Sequence, residues 1–118
     1  MSEFRFQDFE IWKKAGEIAL KLFDVADQFE ARGRRRFAEQ LRAASLSMPN
    51  NIAEGAGSYS KDEFKHFLNV ARRSVFECAS MLLVFAQNGL VAEGMKAQLL
   101  GELEELSKKI SSFRKSLD

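Results

Sequence analysis

Four separate stretches of this chain place apolar residues at alternating steps of four and three, and no stretch alternates with period two long enough to make a strand. That spacing puts each apolar set on one face of an α-helix. The first set is Ile11, Ala15, Ile18, Leu22, Val25 and Phe29, predicting a helix over about 8–30, with Asp8 as its N-cap and Gly33 as its stop. Glu10–Lys14 and Glu17–Lys21 stand at i,i+4 spacing on its polar side. The second set, Phe37, Leu41, Ala44, Met48 and Ile52, predicts a helix over about 34–55. Pro49 falls inside it and removes one backbone bond, at a cost of up to ~3 kcal/mol if uncompensated. A kink near Ser45–Pro49, eased by a Ser45 or Ser47 hydroxyl, is the expectation, with a helix end at Met48 as its rival.

The run Gly55-Ala56-Gly57-Ser58 then breaks the rhythm, and Ser60-Lys61-Asp62-Glu63 reads as a capping box. Phe64, Leu68, Ala71, Val75, Cys78, Leu82 and Phe85 carry a third helix over about 60–88, ending at Asn88-Gly89. A fourth, about 92–116, has Leu99, Leu103, Leu106, Ile110, Phe113 and Leu117 as its seam. The fold class expected is all-α: an antiparallel up-down-up-down four-helix bundle, one domain over residues 1–118.

The stripes are wider than the roughly 100° that one bundle uses. Phe9, Trp12 and Phe23 flank the first seam, Phe67 and Phe76 flank the third, and Phe4 and Phe6 precede the first helix. Burying each aromatic is worth roughly 1.5–3 kcal/mol, so leaving all seven wet is costly. These residues are expected to form the contact of a homo-oligomer. Packing of the same aromatics against the N-terminal arm of a lone chain is the competing expectation.

Charge is distributed unevenly. Residues 1–30 hold four basic and seven acidic side chains, whereas residues 31–73 hold nine basic and four acidic. Arg32, Arg34, Arg35 and Arg36 cluster beside Gly33, and Arg42, Arg72 and Arg73 complete a candidate nucleic-acid-binding set. Guanidinium forks match phosphate oxygens and release counterions on binding. In an up-down bundle, Lys61 and Lys65 would start the third helix at the far end, about 30 Å from the cluster. A ring of copies would gather several arginine clusters on one face.

Catalytic chemistry finds little footing. Glu63-x-x-His66 has the spacing of a metal half-site, but His66 is the only histidine, so no metal and no cofactor are expected. Cys78 lies on an apolar seam, where an inert thiol is usual. Glu54 has no acid–base partner nearby in sequence, and Gly55-x-Gly57 lacks the strand and the Gly-Lys-Ser/Thr of a phosphate loop. A single cysteine, acidic residues near the start and no apolar run of membrane length predict a cytoplasmic protein with no membrane partner.

Several blocks together carry a family resemblance: Phe9-Glu10-Ile11-Trp12-Lys13-Lys14-Ala15, Gln40-Leu41-Arg42-Ala43-Ala44, and Ser47-Met48-Pro49-Asn50-Asn51-Ile52-Ala53-Glu54-Gly55. Phe64, Phe67-Leu68, Ala71-Arg72, Ser74 and Glu77 follow. Over about residues 6–115 the chain resembles the four-helix-bundle proteins encoded in intervening sequences of bacterial 23S ribosomal RNA genes, which have carried a ribosomal-protein-like label. The resemblance implies a bundle that assembles into a homopentameric ring, with no catalytic residues. A related branch looks like the accessory protein of diversity-generating retroelements, a basic ring that engages a reverse transcriptase and its RNA. Two departures stand out: Phe29-Glu30 and an arginine-rich turn replace the family's usual Phe-Pro, and Arg73 stands where Gly is common.

The resulting expectation is a binding module for structured RNA or a ribonucleoprotein. A protein-interaction scaffold, whose partner could be a reverse transcriptase, is the alternative. Pro49, Asn51, Ile52, Glu54 and Gly55 are read as structural: Asn51 satisfying backbone groups near the proline, Ile52 packing inward, Gly55 giving a left-handed exit. Surface recognition by Asn50, Asn51 and Glu54 is the other reading.

Overall fold

A computed structural model describes residues 3–118. A 3₁₀ turn over Arg5–Asp8 leads into α1 (Glu10–Ala31), α2 (Arg35–Ala56), α3 (Lys61–Gln87) and α4 (Glu93–Lys115). Among the described residues there is no strand. α1 packs on α2, α2 on α3 and α3 on α4, while α4 closes back on α1, giving a bundle 44 × 24 × 23 Å. One continuous core runs along its axis, and the seam residues Ile18, Leu22, Leu41, Ile52, Leu68, Leu82, Leu103 and Ile110 are fully buried in it.

The helix ends are set by local chemistry. At the end of α1, Gly33 adopts φ 78°, its amide donates to Glu30 O at 3.0 Å, and the Arg34 amide donates to Phe29 O at 2.8 Å. Gly89 closes α3 in the same way: φ is 72°, Gly89 N donates to Ala86 O at 3.0 Å and Leu90 N to Phe85 O at 2.9 Å. Both are Schellman motifs, in which a left-handed glycine lets two amides satisfy the last carbonyls. Ser60 makes the serine half of the expected capping box, accepting from Glu63 N at 3.1 Å.

Three local expectations are corrected. Asp8 does not cap α1: the arm winds into a 3₁₀ turn, stabilised by Phe4 N donating to Gln7 Oε1 at 2.8 Å, and Phe9 becomes the N-cap. Met48 does not end the second helix, because α2 stays helical through Pro49 to Ala56. Gly55 gives no left-handed exit; it lies buried inside α2, and the positive-φ glycines are Gly33 and Gly89. What Gly55 supplies is room. A Cβ there would lie 2.8 Å from Phe64 Cδ1 and 2.9 Å from Phe67 Cβ, so only glycine lets α3 approach this closely.

The turn around Pro49 is braced from the side. Asn51 Nδ2 donates to Ser47 O at 2.7 Å and to Ser47 Oγ at 2.9 Å. Ser47 Oγ sits 2.7 Å from Ser74 Oγ, whose own proton goes to Val70 O. The chain of hydrogen bonds runs from Asn51 through Ser47 and Ser74 to the accepting Val70 O and stitches α2 to α3. Ser45, buried, bonds back to Leu41 O at 2.6 Å.

Two aromatic clusters flank the core. Phe85 packs on Phe29 at 4.9 Å and on Phe37 at 5.3 Å between ring centroids. Phe9, Phe64 and Phe113 form the other cluster, with centroids 5.0–6.2 Å apart. Arg5 lies 5.6 Å from both the Phe9 and Phe64 rings and donates to Ala56 O, which ties the arm to α2.

Candidate nucleic-acid interface

The α1–α2 turn is built on Phe29 and Phe37. Phe29 is fully buried and its carbonyl receives the Arg34 amide, so the turn hangs from the core by side chain and backbone together. Gly33 turns the chain outward, and Arg32, Arg34, Arg35 and Arg36 are all exposed around it. Arg34, Arg35 and Arg36 line a shallow surface depression with Gly33 and Phe37. Arg35 Nε pairs with Glu39 Oε1 at 3.1 Å, whereas Arg32, Arg34 and Arg36 have no carboxylate partner among the described residues. Three exposed guanidinium groups without such partners thus stand together on this turn, a geometry in which guanidinium forks can match anionic oxygens.

Arg42 does not join them freely. Its Nη1 donates to Glu30 Oε1 at 2.7 Å and its Nη2 to Asp27 Oδ1 at 2.6 Å. These two bonds raise its pKa above the ordinary guanidinium value and occupy the fork that a phosphate would use. Its role is to clamp α2 to α1 just behind the turn. Arg72 and Arg73 lie elsewhere: Arg72 is 13 residues before Phe85 on α3, about 20 Å along the helix. The structure thus brings together Arg32, Arg34, Arg35 and Arg36 and separates the other three. Sequence reading missed the Asp27–Arg42–Glu30 clamp, because nothing local in the chain announces a contact across two helices.

The seven candidate contact aromatics divide as well. Phe4 and Phe76 are exposed, at 61% and 55%. Phe6, Phe9, Trp12, Phe23 and Phe67 are half-buried. Phe6 meets Trp12 edge-on at 5.1 Å and Phe9 belongs to the Phe64–Phe113 cluster, so part of the surplus is absorbed within one chain. New exposed apolar residues take their place, among them Leu20, Leu46, Tyr59 and Val84. Leu20 and Leu46 stand off the seams, and that offset was the available signal.

Of the structural block, Pro49, Ile52 and Gly55 are buried, Asn51 is half-buried and Glu54 exposed. Cys78 is buried, and desolvation pushes its thiol up to about 12, far from any nucleophilic range near neutrality. His66 is exposed with its ring 5.5 Å from Phe67, and among the described residues no three His, Cys, Asp or Glu side chains converge as a metal site would need. Among the same residues no helix is long and apolar enough to cross a membrane.

Four packed amphipathic helices with an arginine turn pinned at the end of α1 define a small all-α bundle protein with a basic turn. Residues 7–112 match the 23S rRNA-intervening sequence protein family, and the chain belongs to it. No curated protein matches the chain.

Proposed function

We propose that this protein is a non-enzymatic RNA-binding module that works as a homo-oligomer, with the arginine turn as its contact to phosphate. The observation that carries the reading is the set of three exposed guanidinium groups, Arg32, Arg34 and Arg36, without carboxylate partners on a turn fixed to the core. Arginine without an internal partner at a helix start opposes the helix dipole, and an external anion removes that cost. Our reading of the architecture is an antiparallel up-down-up-down bundle in one domain. The meeting of Phe29 and Phe37 with Phe85, and of Phe9 and Phe64 with Phe113, supports it. Our reading of the assembly is a ring, of five copies as the family resemblance implies, supported by the exposed Phe4, Leu20, Leu46 and Phe76. A ring would repeat the arginine turn around one face, and cytoplasmic structured RNA is the partner such a face suits.

Salt titration against a structured RNA tests the reading. Binding is expected at about 50 mM salt with a steep negative dependence on salt, and replacement of Arg34, Arg35 and Arg36 by Ala reduces both affinity and slope. Absence of binding at low salt, or a triple variant that binds as the parent does, overturns it. A protein partner retained after nuclease treatment, with RNA affinity absent, turns the reading to a scaffold.

A further inference from the structure

The sharpest anomaly in the bundle is Arg72. Its Nε is buried without a hydrogen-bond partner, the one such side-chain atom among the described residues. Its guanidinium lies 4.8 Å over the ring of Phe76, one turn further along α3, and that ring is 55% exposed. Among the described residues no ion pair reaches Arg72 or its neighbour Arg73. Beside Phe76 a mainly apolar groove of about 290 Å³ opens between α3 and α4, lined by Val75, Ala79, Leu100 and Leu103 together with Glu104 and Ser107, with room for an aliphatic side chain. A stacked arginine and an exposed aromatic at the edge of an apolar groove are the residue types that dominate binding energy at protein contacts. An RNA backbone would find no apolar complement to this groove.

On α1 the complementary features occur together. That helix holds five carboxylates, of which Glu10, Glu17, Asp27 and Glu30 each pair with a cation. Asp24 is exposed and has no such partner among the described residues. Leu20, one turn before it and on the same face, is 64% exposed. α1 and α3 lie diagonally across the core: the backbone of each packs on α2 and α4, and the two meet through buried rings such as Phe29 and Phe85 rather than through their exposed faces. One chain therefore cannot bring these two pairs together, and a second copy can.

We propose that Arg72 and Phe76 on one copy receive Leu20 and Asp24 from α1 of the next: the leucine enters the α3–α4 groove and the carboxylate meets the guanidinium. The inference rests on the homo-oligomer put forward above and assigns its contact. It also moves Arg72 from phosphate binding to assembly. Because donor and acceptor surfaces differ, the contact is head-to-tail, the kind that closes into a ring when the rotation fits.

Light scattering on the full chain and its variants provides the test. The parent is expected as a multiple of 13.4 kDa. Asp24→Arg alters an exposed, unpaired side chain and is expected to drop the mass to one chain while the helical circular dichroism stays unchanged. Arg72→Asp does the same, and the two together restore the assembly through the reversed pair. Phe76→Glu dissociates it without rescue. If the parent assembles and Asp24→Arg and Phe76→Glu both retain its mass, the contact lies elsewhere and this inference falls while the oligomer stands. A parent of 13.4 kDa at micromolar concentration overturns both. An Arg72→Asp variant that keeps its mass but loses RNA affinity returns Arg72 to the RNA and overturns the inference as well.

Discussion

Gly55 shows how one missing side chain fixes an interhelical distance. A methyl group at this position meets the Phe64 ring and the Phe67 Cβ at under 3.0 Å, and the latter cannot swing away because it is bound to the α3 backbone. Gly55→Ala is therefore expected to destabilise the fold by about 1–3 kcal/mol, the usual cost of overpacking, read as a lower urea midpoint. Gly101 is the control. It lies inside α4, where an added methyl would meet nothing within 4 Å, so Gly101→Ala is expected to stabilise by about 0.5–1 kcal/mol through helix propensity. Equal effects of the two changes would remove the close-approach explanation. Cys78 makes a second residue-scale prediction. With its thiol raised to about 12 by desolvation, alkylation at pH 8 is expected to be far slower than for a free thiol and to proceed at the rate of unfolding.

At the scale of elements, the α1–α4 seam depends on charge. The local pairs suggested by sequence, Glu10–Lys14 and Glu17–Lys21, are largely replaced by longer reaches. Lys21 bonds both oxygens of Glu102 at 2.9 and 3.0 Å, Lys14 lies 3.8 Å from the same carboxylate, and Glu10 pairs with Lys109. The Lys21 bonds hold the Glu102 carboxyl below its ordinary range. A carboxyl whose folded pKa is lowered contributes stability that is fully present above its unfolded value and disappears as pH falls through the folded one. Thermal stability is thus expected to fall below about pH 4.5, and Glu102→Gln should flatten that acid limb while lowering the midpoint at pH 7. A variant with the parent's acid profile would show that the pair adds nothing.

The same seam marks what a sequence shows and what it hides. Helix extents, the Ser60 cap and the Gly33 and Gly89 stops are written in neighbouring residues, so spacing alone reveals them. The role of Gly55, the clamp on Arg42, the reach of Lys21 and the isolation of Arg72 each depend on residues brought close only by packing of separate helices. Of the arginine set, sequence therefore locates the turn correctly as a cluster but cannot sort free guanidinium groups from occupied ones.

For the whole molecule, the proposed arginine turn and the proposed subunit contact make a joint prediction. Among the described residues a single copy offers three guanidinium groups of the turn without carboxylate partners, while the guanidinium over Phe76 is that of Arg72, away from the turn. A ring places several such turns on one particle, so once one turn is bound the rest engage the same RNA at high effective concentration. Dissociating the ring with Phe76→Glu is then expected to weaken RNA binding by one to two orders of magnitude although every arginine of the turn remains. The slope of log affinity against log salt should shrink at the same time, since fewer phosphates neutralised means fewer counterions released. The measurement is a salt titration of parent and variant on one RNA long enough to span the particle. Unchanged slope in a dissociated variant would mean that each turn acts alone and that assembly serves another end. Reduced affinity with an unchanged slope would place the loss in shape complementarity rather than in pooled charge, and only a joint fall in both supports arginines acting together.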